Sequence, residues 1–436
     1  MLVKRKLIKK MALLVFCQLM LIMLIPINAI ATSDTNSIGL ELEVKSAILL
    51  EVSTGQILYE ESADVPYPPA SMSKMMTEYI VLDSIQKGRL QWDDIVTASK
   101  NAETTEGSKI FLAEGDTHTV KQLFIAMAVG SANDATVALA EHIAGTEEEF
   151  AKRMNEKAEE LQLDTAHFIN ATGLDRKDMN EKFRPTSIEG ETVMSAKDSA
   201  MLALNMLRDY PDILEYSSIP SYKFRERDEK PMVNYDWMLE ANQSIPAFRD
   251  YAYEGLDGLK TGYTTVAGYC FTGTAERNGM RLISVVMGTE SEPKRFIETR
   301  KLLDYGFNNF ELKNILSANS VIDELKSVTV KSGVETEVPV VTEHGISLVM
   351  RKGGDDNSLT IKTKAIDDSK LVAPLKKGSL VGTATVTYND GNKMEEIRTL
   401  NMISAEEIEK ASWYRLLFRA IAHFFVGLFE SFKSIF

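Results

Sequence analysis

Cysteine is nearly absent from this chain, with two in 436 residues. Cys17 lies in an apolar run near the start, and Cys270 stands alone between Tyr269 and Phe271, so no internal disulfide can staple the body of the protein. A solitary thiol flanked by aromatic residues reads as a core side chain rather than a nucleophile. Histidine is scarce too. His118, His142, His167, His344 and His423 are dispersed, and no H-E-x-x-H run occurs, which argues against a zinc peptidase; no metal or other cofactor is expected. Basic charge is also in short supply: the formal net charge is −14, and such an acidic body repels phosphate, so nucleic acid is not an expected partner. Low-complexity tracts and solenoid repeats are missing. What remains is an ordinary globular composition, long enough for one large domain or two smaller ones with an enclosed site.

The start of the chain is distinct. Lys4, Arg5, Lys6, Lys9 and Lys10 precede an apolar run over 11–27, and Ala29-Ile30-Ala31 supplies a small-x-small cleavage signal. Residues 1–31 read as a secretory signal peptide cut after Ala31; an uncleaved membrane helix is the alternative, and either one exports the protein. Losing that leader, with its five basic and no acidic residues, takes the charge from −14 to −19. Cys17 would leave with it, and bulky Phe16 before it does not fit a lipoprotein box.

Along the body, 46–60 reads as two strands joined by a tight Ser-Thr-Gly turn. Pro66, Pro68 and Pro69 break the chain, and Met72, Met75, Met76, Tyr79, Ile80 and Leu82 then recur at helical spacing, placing Ser71 at a helix start. Helical signals dominate 90–207, with helices expected over 120–129, 134–144 and 147–161, the last opened by a Thr146/Glu149 capping box. Strand signals return at 255–263, 269–275 and 281–288, and 293–307 reads as a closing helix. The strands at the two ends are expected to join one sheet, with the helical insert against its edge. From 312 to 402 apolar and polar residues alternate as in strands. Ser404 and Glu407 then form a capping-box pattern, and a helical period runs to the end.

Three short motifs carry the chemistry: Ser71-Met72-Ser73-Lys74, Ser131-Ala132-Asn133 and Lys260-Thr261-Gly262. None is specific alone. Ser84/Lys87 and Ser291/Lys294 repeat the first spacing, and Ser317-Ala318-Asn319 repeats the second. Ser71 could be an ordinary helix cap, Asn133 could cap the next helix, and Lys260 could be a solvated strand lysine. Order, separation and setting make the set meaningful. A serine hydroxyl needs a base, and Lys74, at i+3 on the same helical face, can act as one if burial or a neighbouring cation keeps it neutral; Lys260 is the candidate neighbour. Peptide N–H groups at the helix start can face an oxyanion.

With these motifs, and with the runs PPASMSKMMT, VGSANDAT, NATGL, DGLKTGYT, and RLISVVMG followed by KRF, the chain over 45–402 resembles the low-molecular-mass penicillin-binding proteins of the D-alanyl-D-alanine carboxypeptidase family, of the penicillin-binding protein 5 type. The resemblance implies an α/β (α+β) fold: a serine β-lactamase/DD-peptidase-like domain with a five-stranded antiparallel sheet and a helical subdomain (32–310), then a β-rich domain (311–402). It implies that Ser71 forms the acyl-enzyme, Lys74 is the base, and Ser131 and Asn133 shuttle a proton and hold the substrate amide. It further implies that Lys260 supports the base, that Thr261 and Arg295 engage the terminal carboxylate, that Gly262 belongs to the same substrate-binding set, and that the N–H groups of Ser71 and Tyr263 form the oxyanion hole. Substrates would be peptidoglycan stem peptides, and β-lactam antibiotics would be covalent inhibitors. The polar stretch 176–197 departs from the family pattern and is expected over the cleft rim.

A serine β-lactamase shares such an architecture, but class A enzymes need a glutamate in E-x-x-L-N, and the nearest run here, Met201-Leu202-Ala203-Leu204-Asn205, begins with methionine. A non-catalytic wall-binding protein would require a damaged motif, and none is damaged. Finally, 403–436 reads as an amphipathic helix: Trp413, Leu416, Leu417, Ile421, Phe424, Leu428, Phe432 and Ile435 share one face, and Arg415, Arg419, Glu430 and Lys433 lie opposite. Its uncharged run, 420–429, is too short to span a bilayer, so it is expected to lie on the outer surface of the cytoplasmic membrane; packing of the apolar stripe onto the β domain is the alternative.

Overall fold

The computed structural model describes residues 40–353, 358–389 and 395–433, with the side chains of 395–396 and 427–433 excluded. The signal-peptide reading of 1–31 therefore lies outside the described residues.

The chain opens with a hairpin, β1 (Ser46–Glu51) and β2 (Ile57–Glu61). Every residue of β1 is buried, and its side chains alternate between two cores: Ile48 and Leu50 face one, Ala47 and Leu49 the other. A 3-10 turn (Ala70–Ser73) leads into α1 (Lys74–Gln86). There follow the short β3 (Ile95–Thr97), α2 (Lys100–Thr104), β4 (Thr117–Thr119), α3 (Val120–Gly130), α4 (Asn133–Ala144) and α5 (Glu147–Glu160). Thr119 and Gln122 form a full capping box on α3, and Thr146 accepts the Glu149 N–H at the start of α5. Two more helices, α6 (Ala196–Asp209) and α7 (Ile213–Ser217), and two short strands, β5 (Ser221–Tyr222) and β6 (Met232–Val233), complete the insert.

Strands β7 (Leu256–Thr264), β8 (Gly268–Arg277) and β9 (Met280–Thr289) return to the sheet, whose antiparallel order is β2-β1-β9-β8-β7. The first and last segments thus pair as expected, Ser46 opposite Met287 through Glu51 opposite Leu282. The insert differs from expectation. Its helices cover a face of the sheet rather than an edge, because Ile48, Leu50, Leu259, Ile283, Val285 and Met287 supply an apolar surface that α1 and α6 bury. Helix α8 (Glu292–Asn309) covers the opposite face through Phe296, Leu302 and Leu303.

Beyond α8 lies the all-β part: β10 (Phe310–Leu316), β11 (Ser327–Thr329), β12 (Glu337–Thr342), β13 (Ile346–Arg351), β14 (Leu359–Ala365), β15 (Leu380–Asn389) and β16 (Glu395–Ser404). β10 pairs with β13, and the others form a sheet of order β11-β12-β16-β15-β14. Gln56, from the β1–β2 turn, both donates to the Val349 carbonyl and accepts its N–H, tying the two parts together.

The Ser404/Glu407 capping box does not form. Ser404 is the last residue of β16, and its hydroxyl donates to the Lys376 carbonyl and accepts from the Ser379 N–H. Residues 405–411 continue as extended chain bonded to the β domain, with Ile408 and Ala411 buried in it, and the helix α9 begins only at Trp413 (Trp413–Lys433). None of the described helices is long and apolar enough to cross a membrane.

Candidate active site

Ser71 sits in the 3-10 turn that the proline-rich approach delivers to α1, and its side chain opens onto a cleft while Ala70, Met72 and Ser73 are buried. Lys74, the first residue of α1, reaches back across one turn. Its Nζ donates to Ser71 Oγ at 2.9 Å and to the Thr172 carbonyl at 2.9 Å, and the side chain is 0% exposed. Burial, aided by the nearby Lys260 cation, holds its pKa well below the usual lysine range. The turn presenting Thr172 is built by Asn170, whose Oδ1 accepts from the Thr172 N–H, the Thr172 hydroxyl and the Gly173 N–H. Gly173 has φ +81°, and a β-carbon there would lie 1.9 Å from the Ala70 carbonyl oxygen, so the close approach of this turn to the serine requires glycine.

The second motif occupies the corner between α3 and α4. Ser131 adopts the left-handed region (φ +51°) and closes α3 through its N–H to the Ala126 carbonyl. Asn133 is not a side-chain cap. It begins α4, donates from Nδ2 to the Glu106 carbonyl at 2.5 Å, and leaves Oδ1 buried without a partner. The next residue, Asp134, accepts the N–H groups of Ile110 and Leu112 and so fixes the strap that runs past the cleft.

Strand β7 forms the facing wall. Lys260 is buried, and burial lowers its pKa despite the opposing pull of Glu78. Gly262 faces the serine turn, and exposed Tyr263 stacks on Tyr269 with 4.3 Å between ring centres. Arg295, from the first turn of α8, is 2% exposed; it donates to Glu292 at 2.9 Å and to the Gly262 carbonyl at 3.4 Å, while its Nε has no partner. Burial lowers its pKa.

Of the residues singled out from sequence, Ser71, Ser131, Asn133, Thr261, Gly262, Tyr263 and Arg295 line one cavity of about 340 Å³. Lys74 and Lys260 stand behind that lining. A serine at hydrogen-bond distance from a lysine whose ammonium form is disfavoured by burial can serve as a nucleophile with its base, and the facing strand can offer peptide groups and a cation to an extended, carboxylate-bearing ligand. Sequence reading missed Thr172, Asp134, Glu78, Asp236 and Glu292. NATGL and the residue after Ser-Ala-Asn gave a signal for the first two, and Glu292 lies three residues before Arg295; Asp236 has no local signature. The 176–197 stretch begins at the rim, where Asp175 accepts from Thr264 at 3.4 Å. Arg176 then binds the carbonyls of Pro185, Ile188 and Gly190, which folds the loop onto itself, and the cavity lining includes none of its residues.

Known proteins match this arrangement. A family model described as D-alanyl-D-alanine carboxypeptidase matches residues 30–291, and one described as penicillin-binding protein 5, C-terminal domain, matches 310–410. The D-alanyl-D-alanine carboxypeptidase DacF of Bacillus subtilis is 35% identical over 379 residues, which is 87% of this chain and 89% of the relative. Among solved structures, penicillin-binding protein 3 of Streptococcus pneumoniae, described as a peptidoglycan synthesis regulatory factor, superposes with a TM-score of 0.72 at 32% identity, covering 85% of this chain and all of the other. Penicillin-binding protein D2 of Listeria monocytogenes, in an ampicillin-bound form, gives a TM-score of 0.52 at 32% identity over 62% of this chain and 99% of its own. The chain belongs to the D-alanyl-D-alanine carboxypeptidase family of serine peptidases.

Proposed function

We propose that the protein removes the terminal D-alanine from peptidoglycan stem pentapeptides through an acyl-enzyme on Ser71, and that penicillins acylate the same hydroxyl. The observation that carries this reading is the 2.9 Å contact between Ser71 Oγ and the Nζ of a fully buried Lys74. Ser71 Oγ attacks the carbonyl carbon of the penultimate D-alanine as Lys74 takes its proton. The oxyanion is held by the N–H groups of Ser71 and Tyr263. The Ser131 hydroxyl passes a proton to the departing D-alanine amine, Asn133 Oδ1 receives a substrate amide N–H, and Thr261 and Arg295, with Lys260 behind them, grip the terminal carboxylate. Water then hydrolyses the ester and returns Ser71.

Among the residues lining the cavity the acid is Glu292, and it is engaged with Arg295. The Met201–Asn205 run lies on α6, away from that lining. Among the described residues lining the cavity no unengaged carboxylate stands ready to activate a water against a penicilloyl ester, which favours the carboxypeptidase reading over a β-lactamase. Export by the 1–31 leader and surface anchoring by α9 belong to the same reading. Trp413, Leu417, Phe418, Ile421, Phe424 and Phe425 are exposed, while Arg419 turns inward and binds the carbonyls of Gly333 and Val334; this exposure supports a lipid surface, over the β domain, as the partner of the apolar face. Mass spectrometry of stem pentapeptide incubated with purified protein tests the reaction: loss of one terminal alanine is expected, and an unchanged peptide contradicts it.

A further inference from the structure

Beneath the serine, three ionisable side chains are buried on facing elements. Lys74 is 0%, Glu78 3% and Lys260 3% exposed. Lys74 and Glu78 lie at i and i+4 on α1, one turn apart on the same side, and α1 packs against β7, which carries Lys260. Two buried ammonium groups that repel each other are strongly disfavoured unless an anion compensates one of them.

The acids facing Lys74 are Glu78 from α1, Glu147 from α5 and Asp134 from α4; those facing Lys260 are Glu78 and Asp236, with the Arg295 cation from α8 opposing them. Glu147 is engaged by the Ala171 N–H and Asn101 Nδ2. Asp134 is engaged by the N–H groups of Ile110, Leu112 and Ala135, and Asp236 accepts from the Met238 N–H. Glu78 faces both lysines, and among the described residues no hydrogen bond or ion pair holds its carboxylate.

We propose that Glu78 is a positioning residue of the acyl transfer, the buried counter-charge that keeps a proton on Lys260 while Lys74 stays free to accept the one from Ser71. Burial raises the Glu78 pKa to about 7 against the opposing pull of the two lysines, so Glu78 acts as a counter-charge from about neutrality upward. Its carboxylate favours the ammonium form of both lysines, so removing it makes both release their protons at lower pH. The acid limb of acylation, where Lys74 must become neutral, then moves down the pH scale. So does the basic limb, where Lys260 must keep its charge.

The inference rests on the acyl-transfer reading, and the two fail separately. The experiment is the rate of labelling by a fluorescent penicillin across the pH range for the full chain, Glu78→Gln and Glu78→Asp. The Gln variant should show both limbs displaced downward by about one pH unit or more. The Asp variant keeps the charge, and its limbs should stay with the wild type whatever the height of the curve. Gln limbs that coincide with the wild type, or Asp limbs that move as far as those of Gln, overturn the role of Glu78; if the Gln variant does not fold, Glu78→Met, which also removes the charge, is read in its place by the same criteria. No labelling of the wild-type protein at any pH would instead overturn the acyl-transfer reading.

Discussion

Gly262 passes so close to Pro69 that a β-carbon on it would lie 2.4 Å from the Pro69 carbonyl oxygen and 3.2 Å from Met72 Cγ. The strand proposed to grip substrate is therefore set directly against the turn that carries Ser71. Gly262→Ala should push the two apart by a fraction of an ångström to one ångström, and a misplacement of ~1 Å costs about 10²-fold in rate. Acylation by penicillin, followed by stopped flow, should fall by that order while the fold is retained. An unchanged rate would mean that the strand–turn spacing is not set by this contact.

Lys74→Arg keeps charge and approximate length but cannot act as a base, since guanidinium does not deprotonate in proteins. Acylation should fall by about 10²–10⁴-fold, the usual worth of a general base. In the wild type, burial and Lys260 lower the Lys74 pKa, so the rate should climb with pH through a value well below that of free lysine and fall again where Lys260 loses its proton. Near-normal labelling of the Arg variant would assign the proton to another group.

Arg295→Ala should weaken peptide turnover more than benzylpenicillin acylation. Its guanidinium stands at the cavity wall beside Gly262 with Nε unpartnered, where a peptide's terminal carboxylate is expected. Equal losses in the two assays would count against that role.

Asp236 is buried, and burial raises its carboxyl pKa to about 7. The unfolded chain releases that proton near the ordinary aspartate value of ~3.9, so between these values the folded state binds more protons and wild-type stability must fall as pH rises, by up to about 1.4 kcal/mol per unit. Asp236→Asn removes this slope. Thermal melts should show the Asn variant gaining on the wild type from about pH 4 to neutrality, and a difference that does not change with pH would contradict the assignment.

Truncation after Ser412 should yield a folded, active enzyme that no longer sediments with membranes, because it removes only α9. Truncation after Met402 should unfold the β domain, since Ser404, Ile408 and Ala411 are part of its packing. A Ser412 truncation that still sediments with vesicles would contradict anchoring by α9.

The differences between sequence and structure have physical causes. Short apolar runs bounded by turn residues announce β1 and β9 as strands whatever their neighbours, and a turn at Ser131 follows from the end of the helical periodicity at Gly130, although its left-handed backbone does not. Ser404 misled because S-x-x-E caps a helix only when its backbone is free, and here the β15–β16 register carries Ser404 to the Lys376 carbonyl instead. Glu78 reads in sequence as one polar residue in an apolar helix. Its burial is decided by β7, some 180 residues away, and its meaning by Lys260, so nothing local could reveal it. Asp236 is placed likewise, by the Asn234 and Asn242 side chains that bond its backbone.

The most direct test of the account is the site of covalent attachment. Intact-protein mass spectrometry after brief exposure to benzylpenicillin, followed by peptide mapping, should show one penicilloyl group on the peptide containing Ser71, and none on Ser71→Ala with its fold intact. An adduct that survives in Ser71→Ala, or maps to Ser84 or Ser291, would contradict the central claim that Ser71, activated by Lys74, is the nucleophile.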